Sequence, residues 1–247
     1  MALLLLRRGV SEVFSIGRCV VAAGMRARWI TFDCYGTLVD WQAGLGAMLD
    51  PLAGDKAPGI VRAYATHQLA IEREQPHRSH KHVLKTALVR AAAGLGVMLS
   101  DADARSLTRS WASLQPFADV ESMLAALRAK GYRLGVLTNV DDDMFEITHR
   151  AFDAPFDLFV TAERVRGYKP EPWLFRAFER ITGVAKRDWV HVGSSWDHDI
   201  APAQALGVTQ VWLDREGAPA PPRQAPIRVA SAVETVRAID TLLSGPN

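Results

Sequence analysis

Five short apolar runs, each bounded by turn-forming residues and separated by helix-period segments, limit what this chain can fold into more than any other feature. RWITFD, YRLGVLTN, FDLFVTA, DWVHVGSS and TQVWLDR are strand-length and rich in β-branched or aromatic residues. Between them lie DVESMLAALRAKG, which closes on Gly131 as a helix stop, then DDMFEITHRAF, EPWLFRAFERITG and DIAPAQALG. Strand, helix and strand in repetition means parallel pairing through right-handed crossovers, so the expected class is α/β with a doubly wound parallel sheet.

The alternation fails in one place. From about Gln42 to Trp111 no good strand occurs, while IVRAYATHQLAIERE, KHVLKTALVRAAAGLG and SDADARSLTRSWASL all read as amphipathic helices. A helical insert over residues 42–114 therefore follows the first strand, leaving residues 25–41 and 115–247 as the α/β core. After WLDRE the tail opens with the Pro-rich loop GAPAPPRQAPI and ends in an expected helix from Ala232 to Leu243. The first 24 residues begin apolar but are interrupted by Arg7, Arg8 and Arg18, too broken to span a bilayer. They are read as an extension outside the fold with Met25 as the working start; an Arg-containing transit peptide is the alternative.

Composition narrows the partners. With 247 residues, 49% of them hydrophobic, the chain can bury a substantial core. A net charge of +2 with scattered Lys and Arg gives no footprint for nucleic acid, and no segment reads as a membrane span. A small anionic molecule is the expected partner. Cys19 and Cys34 are too few for a disulfide framework, so a reducing, cytoplasmic location is expected. An apolar face on the insert would make a homodimer.

In open parallel sheets ligands bind beyond the carboxyl ends of the strands. Asp33 ends the first run, Thr138 and Asn139 the second, Ser194 and Ser195 the fourth, and Lys169 sits in the loop after FDLFVTA. Singly, each has a structural explanation as a turn, cap or solvated residue. Together they bring one carboxylate, one ammonium and several neutral hydrogen-bonding groups to one edge of the sheet.

The order Asp33-x-Tyr35-Gly36-Thr37-Leu38-x-Asp40, then LTN, GYKPEP and HVGSSWDHDIAPAQALG, resembles the haloacid dehalogenase superfamily from about Arg28 to Arg215. The resemblance implies a Rossmann-like core, a helical cap in place of the insert, and Asp33 as the nucleophile. A carboxylate nucleophile splits a displacement into formation of an ester or acyl phosphate and its hydrolysis by water. Lys169 would keep Asp33 ionised. Thr37, Thr138 and Asn139 would serve the substrate's anionic group and the oxyanion formed on hydrolysis.

Phosphatases of that superfamily carry a second Asp two residues after the nucleophile and an acid after the Gly of the last motif. Here those positions hold Tyr35 and Ser194. A phenol with an ordinary pKa of about 10 is a poor proton donor near neutrality. The arrangement resembles the 2-haloacid dehalogenase (type II) branch, which implies release of halide with no cofactor; magnesium enters only under the alternative, phosphatase reading. A catalytically inactive binding protein is the third. Asp199, at the second acid position of the last motif, would help place Lys169 and the hydrolytic water. Phe175 and Trp196 replace a Tyr and an Asn of the L-2-haloacid enzymes and would narrow the substrate pocket. Arg62, Arg73 and Arg78 are the insert's candidates for the cap arginine of those enzymes.

Other polar clusters are read as structural. His77, His80 and His82 lack a matching carboxylate cluster for a metal. Cys34 should turn away from Asp33 into the core. Asp141 to Asp143 read as a helix start, and Asp197 and His198 as pocket rim or helix N-terminus.

Overall fold

The computed structural model describes residues 27–218 and 227–243; the expectation for residues 1–24 lies outside them. One six-stranded, all-parallel sheet forms the core. Its strands are β1 (Trp29–Phe32), β2 (Arg133–Thr138), β3 (Leu158–Thr161), β4 (Trp189–Gly193), β5 (Thr209–Leu213) and β6 (Ile227–Val229), in the order β3-β2-β1-β4-β5-β6. The chain runs outward from β1 to β3 and then crosses to β4 on the other side. The order reverses beside β1, where a doubly wound sheet opens its crevice. Every residue of β1 is buried, as a strand covered on both faces requires, so its sequence is a continuous apolar run rather than an alternation.

Four helices follow β1: α1 (Trp41–Ala53), α2 (Ala57–Glu72), α3 (His80–Gly94) and α4 (Asp101–Ser110). The core adds α5 (Val120–Ala129), α6 (Asp142–His149), α7 (Ala162–Val165), α8 (Trp173–Thr182), α9 (Ala201–Ala205) and α10 (Ala232–Leu243). The last matches its expected bounds. Two elements differ from the sequence reading. Gly44, Gly46 and Pro51 blur the helical signal of α1, yet Asp40 caps it by accepting from the Ala43 N–H at 3.0 Å. Gly44 is needed there because a Cβ would lie 2.1 Å from Leu114 Cδ2. In the tail, the stretch read as loop up to Ile227 gives way to β6, an edge strand of three residues, too short to show a period.

The sheet buries two apolar layers. Ile30, Phe32, Val190 and Val192 face the side covered by α5 and α10, and that core continues into the cap helices. Trp29, Leu137, Val160 and Trp189 face α8 and α9. Phe178 of α8 sits between the rings of Trp29 and Trp189, with both centroid separations 5.1 Å. Gly135 in β2 makes room for it, since a Cβ there would stand 2.8 Å from the Phe178 ring. The cap is tied to the core by polar contacts at the start of α3. Asp141 does not cap α6 with its side chain; its carboxylate accepts from the N–H groups of His80 at 2.7 Å and Lys81 at 3.1 Å, an anion at a helix N-terminus. Tyr168 adds a bond from its hydroxyl to the Arg78 carbonyl at 2.7 Å.

Phe178→Ala should empty the space between two tryptophans and cost about 3–5 kcal/mol. In urea titration the midpoint should fall while the m-value stays unchanged.

Candidate active site

β1 delivers Asp33 as the first residue past its end, with the Asp33 N–H still bonded to the Val192 carbonyl at 2.9 Å. The chain then doubles back through Gly36, whose φ of +98° favours glycine. A Cβ at Gly36 would also stand 2.9 Å from Ser194 Oγ, so two strand ends meet closely there. This turn brings Thr37 back to the carboxylate. Its hydroxyl donates to Asp33 Oδ2 at 3.0 Å and accepts from the Ser194 N–H at 2.9 Å.

Lys169 is 1% exposed, and its ammonium spends all three protons inside the protein. They go to Asp33 Oδ1 at 2.7 Å, Asp199 Oδ1 at 2.6 Å and the Leu137 carbonyl at 2.8 Å. Asn139 clamps the lysine's backbone, accepting from Lys169 N at 2.8 Å and donating to Lys169 O at 3.0 Å. The amide is thereby committed to holding Lys169, whereas the sequence reading gave it to the substrate. Asp199 is further held by the Ser195 N–H at 3.1 Å, and Gly193 leaves the space its carboxylate needs, a Cβ there falling 2.3 Å from Asp199 Cβ.

Beneath the carboxylates lies a buried relay. The Trp189 indole donates to Thr31 Oγ1 at 2.8 Å, which leaves the Thr31 proton for His191 Nδ1 at 2.9 Å. That places the imidazole proton on Nε2, 3.5 Å from Asp199 Oδ1. Burial pulls the His191 pKa down despite Asp199, so the ring is neutral.

The two carboxylates differ. Burial alone would lift Asp199, but the Lys169 ammonium and His191 outweigh it and hold the acid well below the ordinary carboxylate range. Asp33 goes the other way: burial, reinforced by the Asp199 charge, lifts it against the pull of Lys169 and Thr37. Burial works against the Lys169 ammonium, yet its two carboxylates keep its pKa above that of an ordinary lysine. Cys34 is fully buried; burial and then Asp33 raise its thiol well above the usual range, which leaves it protonated.

A cleft of about 300 Å³ opens over Asp33, between core loops and cap. Tyr35, Thr138, Asn139, Lys169, Ser194 and Asp199 line it with Asp33, while Trp41, Gln68, His80 and Trp111 form the cap wall. Thr138 Oγ1 is buried there without a partner. Thr37 supports the Asp33 carboxylate from behind. Phe175 lies elsewhere: the face of α8 that packs on the sheet carries it, and its ring meets His191 at 4.8 Å. Trp196 packs on Trp212 at 5.7 Å and is not part of the cleft wall. Arg62, Arg73 and Arg78 are exposed and none lines the cleft, because α2 turns its polar face to solvent at these positions or ends before them.

A sequence profile for haloacid dehalogenase-like hydrolases matches residues 27–207. The chain belongs to that family. Haloacetate dehalogenase H-2 of Moraxella sp. (strain B) is 26% identical over 195 residues, spanning 76% of this chain and 86% of that protein. Glyceraldehyde 3-phosphate phosphatase of Methanothermobacter thermautotrophicus is 26% identical over 200 residues, 76% of this chain and 85% of its own length. Among solved structures, the L-2-haloacid dehalogenase RSc1362 superposes with a TM-score of 0.80 at 26% identity, covering 87% of this chain and 100% of that one.

His191, Arg215 and Glu72 of this haloacid dehalogenase-like hydrolase escaped sequence reasoning, whereas His198, read as pocket rim or helix N-terminus, does line the cleft. His191 lies inside an apolar run, and its single polar side chain was the available signal. Arg215, whose guanidinium grips Asp119 at 2.9 and 3.0 Å on the cleft wall, follows β5 at a strand end that carried no motif. Glu72 and His198 pair across the cap–core seam, with His198 Nε2 3.2 Å from Glu72 Oε2, an ion-pair contact rather than an aligned hydrogen bond. Burial draws the His198 imidazole down, but Glu72 outweighs it and holds the pKa above its ordinary value.

Lys169→Met should leave two buried carboxylates facing each other and cost about 3–5 kcal/mol at pH 7. In the parent enzyme Asp199 is held below its ordinary value of 3.8, so its stabilisation is present above that pH and is lost as the pH falls through the folded value. The variant's deficit should therefore shrink in acid, where Asp33 takes up a proton first. Urea titrations at two pH values check this.

Proposed function

We propose that the enzyme hydrolyses the carbon–halogen bond of a small 2-haloacid, with Asp33 as nucleophile. The state of Tyr35 carries the reading. Its hydroxyl lies 2.6 Å from Thr148 Oγ1, and Thr148 itself donates to the Ala112 carbonyl at 2.9 Å, so the phenolic proton is spent on Thr148. Burial, with Cys34 and Asp33 nearby, lifts the phenol well above its ordinary range. At the position where a phosphatase keeps its proton donor, this enzyme holds a group that cannot cycle. Halide needs no proton because it leaves as a stable anion.

In the first step an Asp33 oxygen attacks C2 of the substrate, the carbon–halogen bond breaks, and halide departs with the electron pair. Thr138 Oγ1, unpartnered and buried on the cleft wall, and the hydroxyl of Ser194 serve the substrate carboxylate with neutral donors. Tyr35, Trp41 and Trp111 supply an apolar wall for the halogen. Water then attacks the ester carbonyl of Asp33, the bond from that carbon to the substrate oxygen breaks, and the 2-hydroxy acid leaves as a proton passes to solvent. The Lys169 ammonium, 2.7 Å from Asp33 Oδ1, stabilises the intermediate oxyanion.

The alternative, a magnesium-dependent phosphatase, draws support from relatives that are named phosphatases. The donor set supports it less well, because Ser194 stands in place of an acid and Asp33 and Asp199 are both engaged with the Lys169 ammonium.

Turnover of 2-haloacids in heavy-oxygen water should place label in the peptide containing Asp33, and Asp33→Asn should lower halide release by at least about 10³-fold. EDTA should leave halide release unchanged. Phosphate release abolished by EDTA, with no halide from any 2-haloacid, would decide for the phosphatase.

A further inference from the structure

The last residue of α2 is a carboxylate buried where helix chemistry gives it no reason to be. The Glu72 side chain is 1% exposed, although Glu is rarely buried completely and a helix C-terminus disfavours negative charge. Its oxygens are occupied. Oε1 accepts from Gln68 Nε2 at 2.8 Å, one turn back on the same helix. Oε2 reaches across the seam to His198 Nε2 at 3.2 Å and Asn139 Nδ2 at 3.4 Å.

Both core partners belong to the machinery under the cleft. Asn139 spends the rest of its amide on the backbone of Lys169, at 2.8 and 3.0 Å. His198 precedes Asp199, whose carboxylate is 2.6 Å from the Lys169 ammonium. A single cap carboxylate thus touches the loop after β2 and the turn after β4, the two segments that set the lysine opposite Asp33. We propose that Glu72 is a positioning residue through which the cap fixes Lys169 and Asp199 relative to Asp33. In its catalytic consequence this rests on the reading of Asp33 as nucleophile. A buried charge is retained at this seam because its partners are the supports of the site: when Glu72 is absent, Asn139 and His198 lose the one group that binds both.

The test uses the full chain and two readouts, one independent of turnover. In Glu72→Ala, hydrogen exchange at the Lys169 amide, which donates to Asn139, should quicken about tenfold, while amides of β5 exchange as in the parent. Haloacid turnover should show kcat reduced about tenfold to a hundredfold with KM nearly unchanged. The loss should not multiply with that of Asn139→Ala, because the two residues act along one path. Glu72→Gln keeps volume and an acceptor for Asn139, and should recover part of both losses even where the alanine variant folds poorly. Glu74→Ala, an exposed neighbour, should match the parent. Unchanged exchange at Lys169 in both Glu72 variants, or losses that multiply in the double variant, would overturn the proposal. Quickened exchange in Glu72→Ala, with no halide released by the parent from any 2-haloacid, would overturn the dehalogenase reading and leave the positioning role standing.

Discussion

The site depends on one ammonium buried between two carboxylates. Removing a lysine and two acids from water costs several kcal/mol per ion unless geometry and hydrogen bonds compensate. Here every proton of Lys169 has an acceptor within 2.8 Å, and both oxygens of Asp199 and Asp33 have donors. The arrangement is satisfied but not symmetric. Asp199, farther inside and backed by His191, stays ionised, while burial and then the Asp199 charge lift Asp33. One acid therefore serves as a permanent counter-ion and leaves the other as the more basic carboxylate, facing the cleft.

That triad fixes what surrounds it. Gly193 has no Cβ because Asp199 occupies the space, and Gly36 has none because the turn after Asp33 presses on Ser194. Thr37 bridges the same two strand ends. The doubly wound sheet brings these segments together, since β1 and β4 are neighbours at the point where the strand order reverses. The cap then closes the cleft with aromatic rings and anchors itself to the core through Asp141, Tyr168 and the Glu72 seam.

Much of this was legible in the chain. The order of strands and helices, the insert after β1 and the polar residues at strand ends are local properties, written in periodicity and turn chemistry. α1 was hidden because Gly44 serves close packing against Leu114 rather than helix propensity, and β6 because an edge strand of three residues has no period to read. Phe175 shows the limit in the site itself. Its place in the motif pointed to the pocket, but the rotation of α8 on the sheet turns it toward His191.

The sequence by itself determined that a carboxylate ends the first strand, that a tyrosine and not an acid stands two residues on, and that a lysine and further acids follow at later strand ends. Only the tertiary structure decided which of these groups touch. Lys169 meets Asp33 across 136 residues of chain, and Glu72 meets Asn139 across 67. The first was expected only through the resemblance of ordered motifs; the second arises from packing between elements that share no local pattern, so spacing along the chain carries no trace of it. The proton of Tyr35 was settled in the same way, by a threonine 113 residues distant that accepts it.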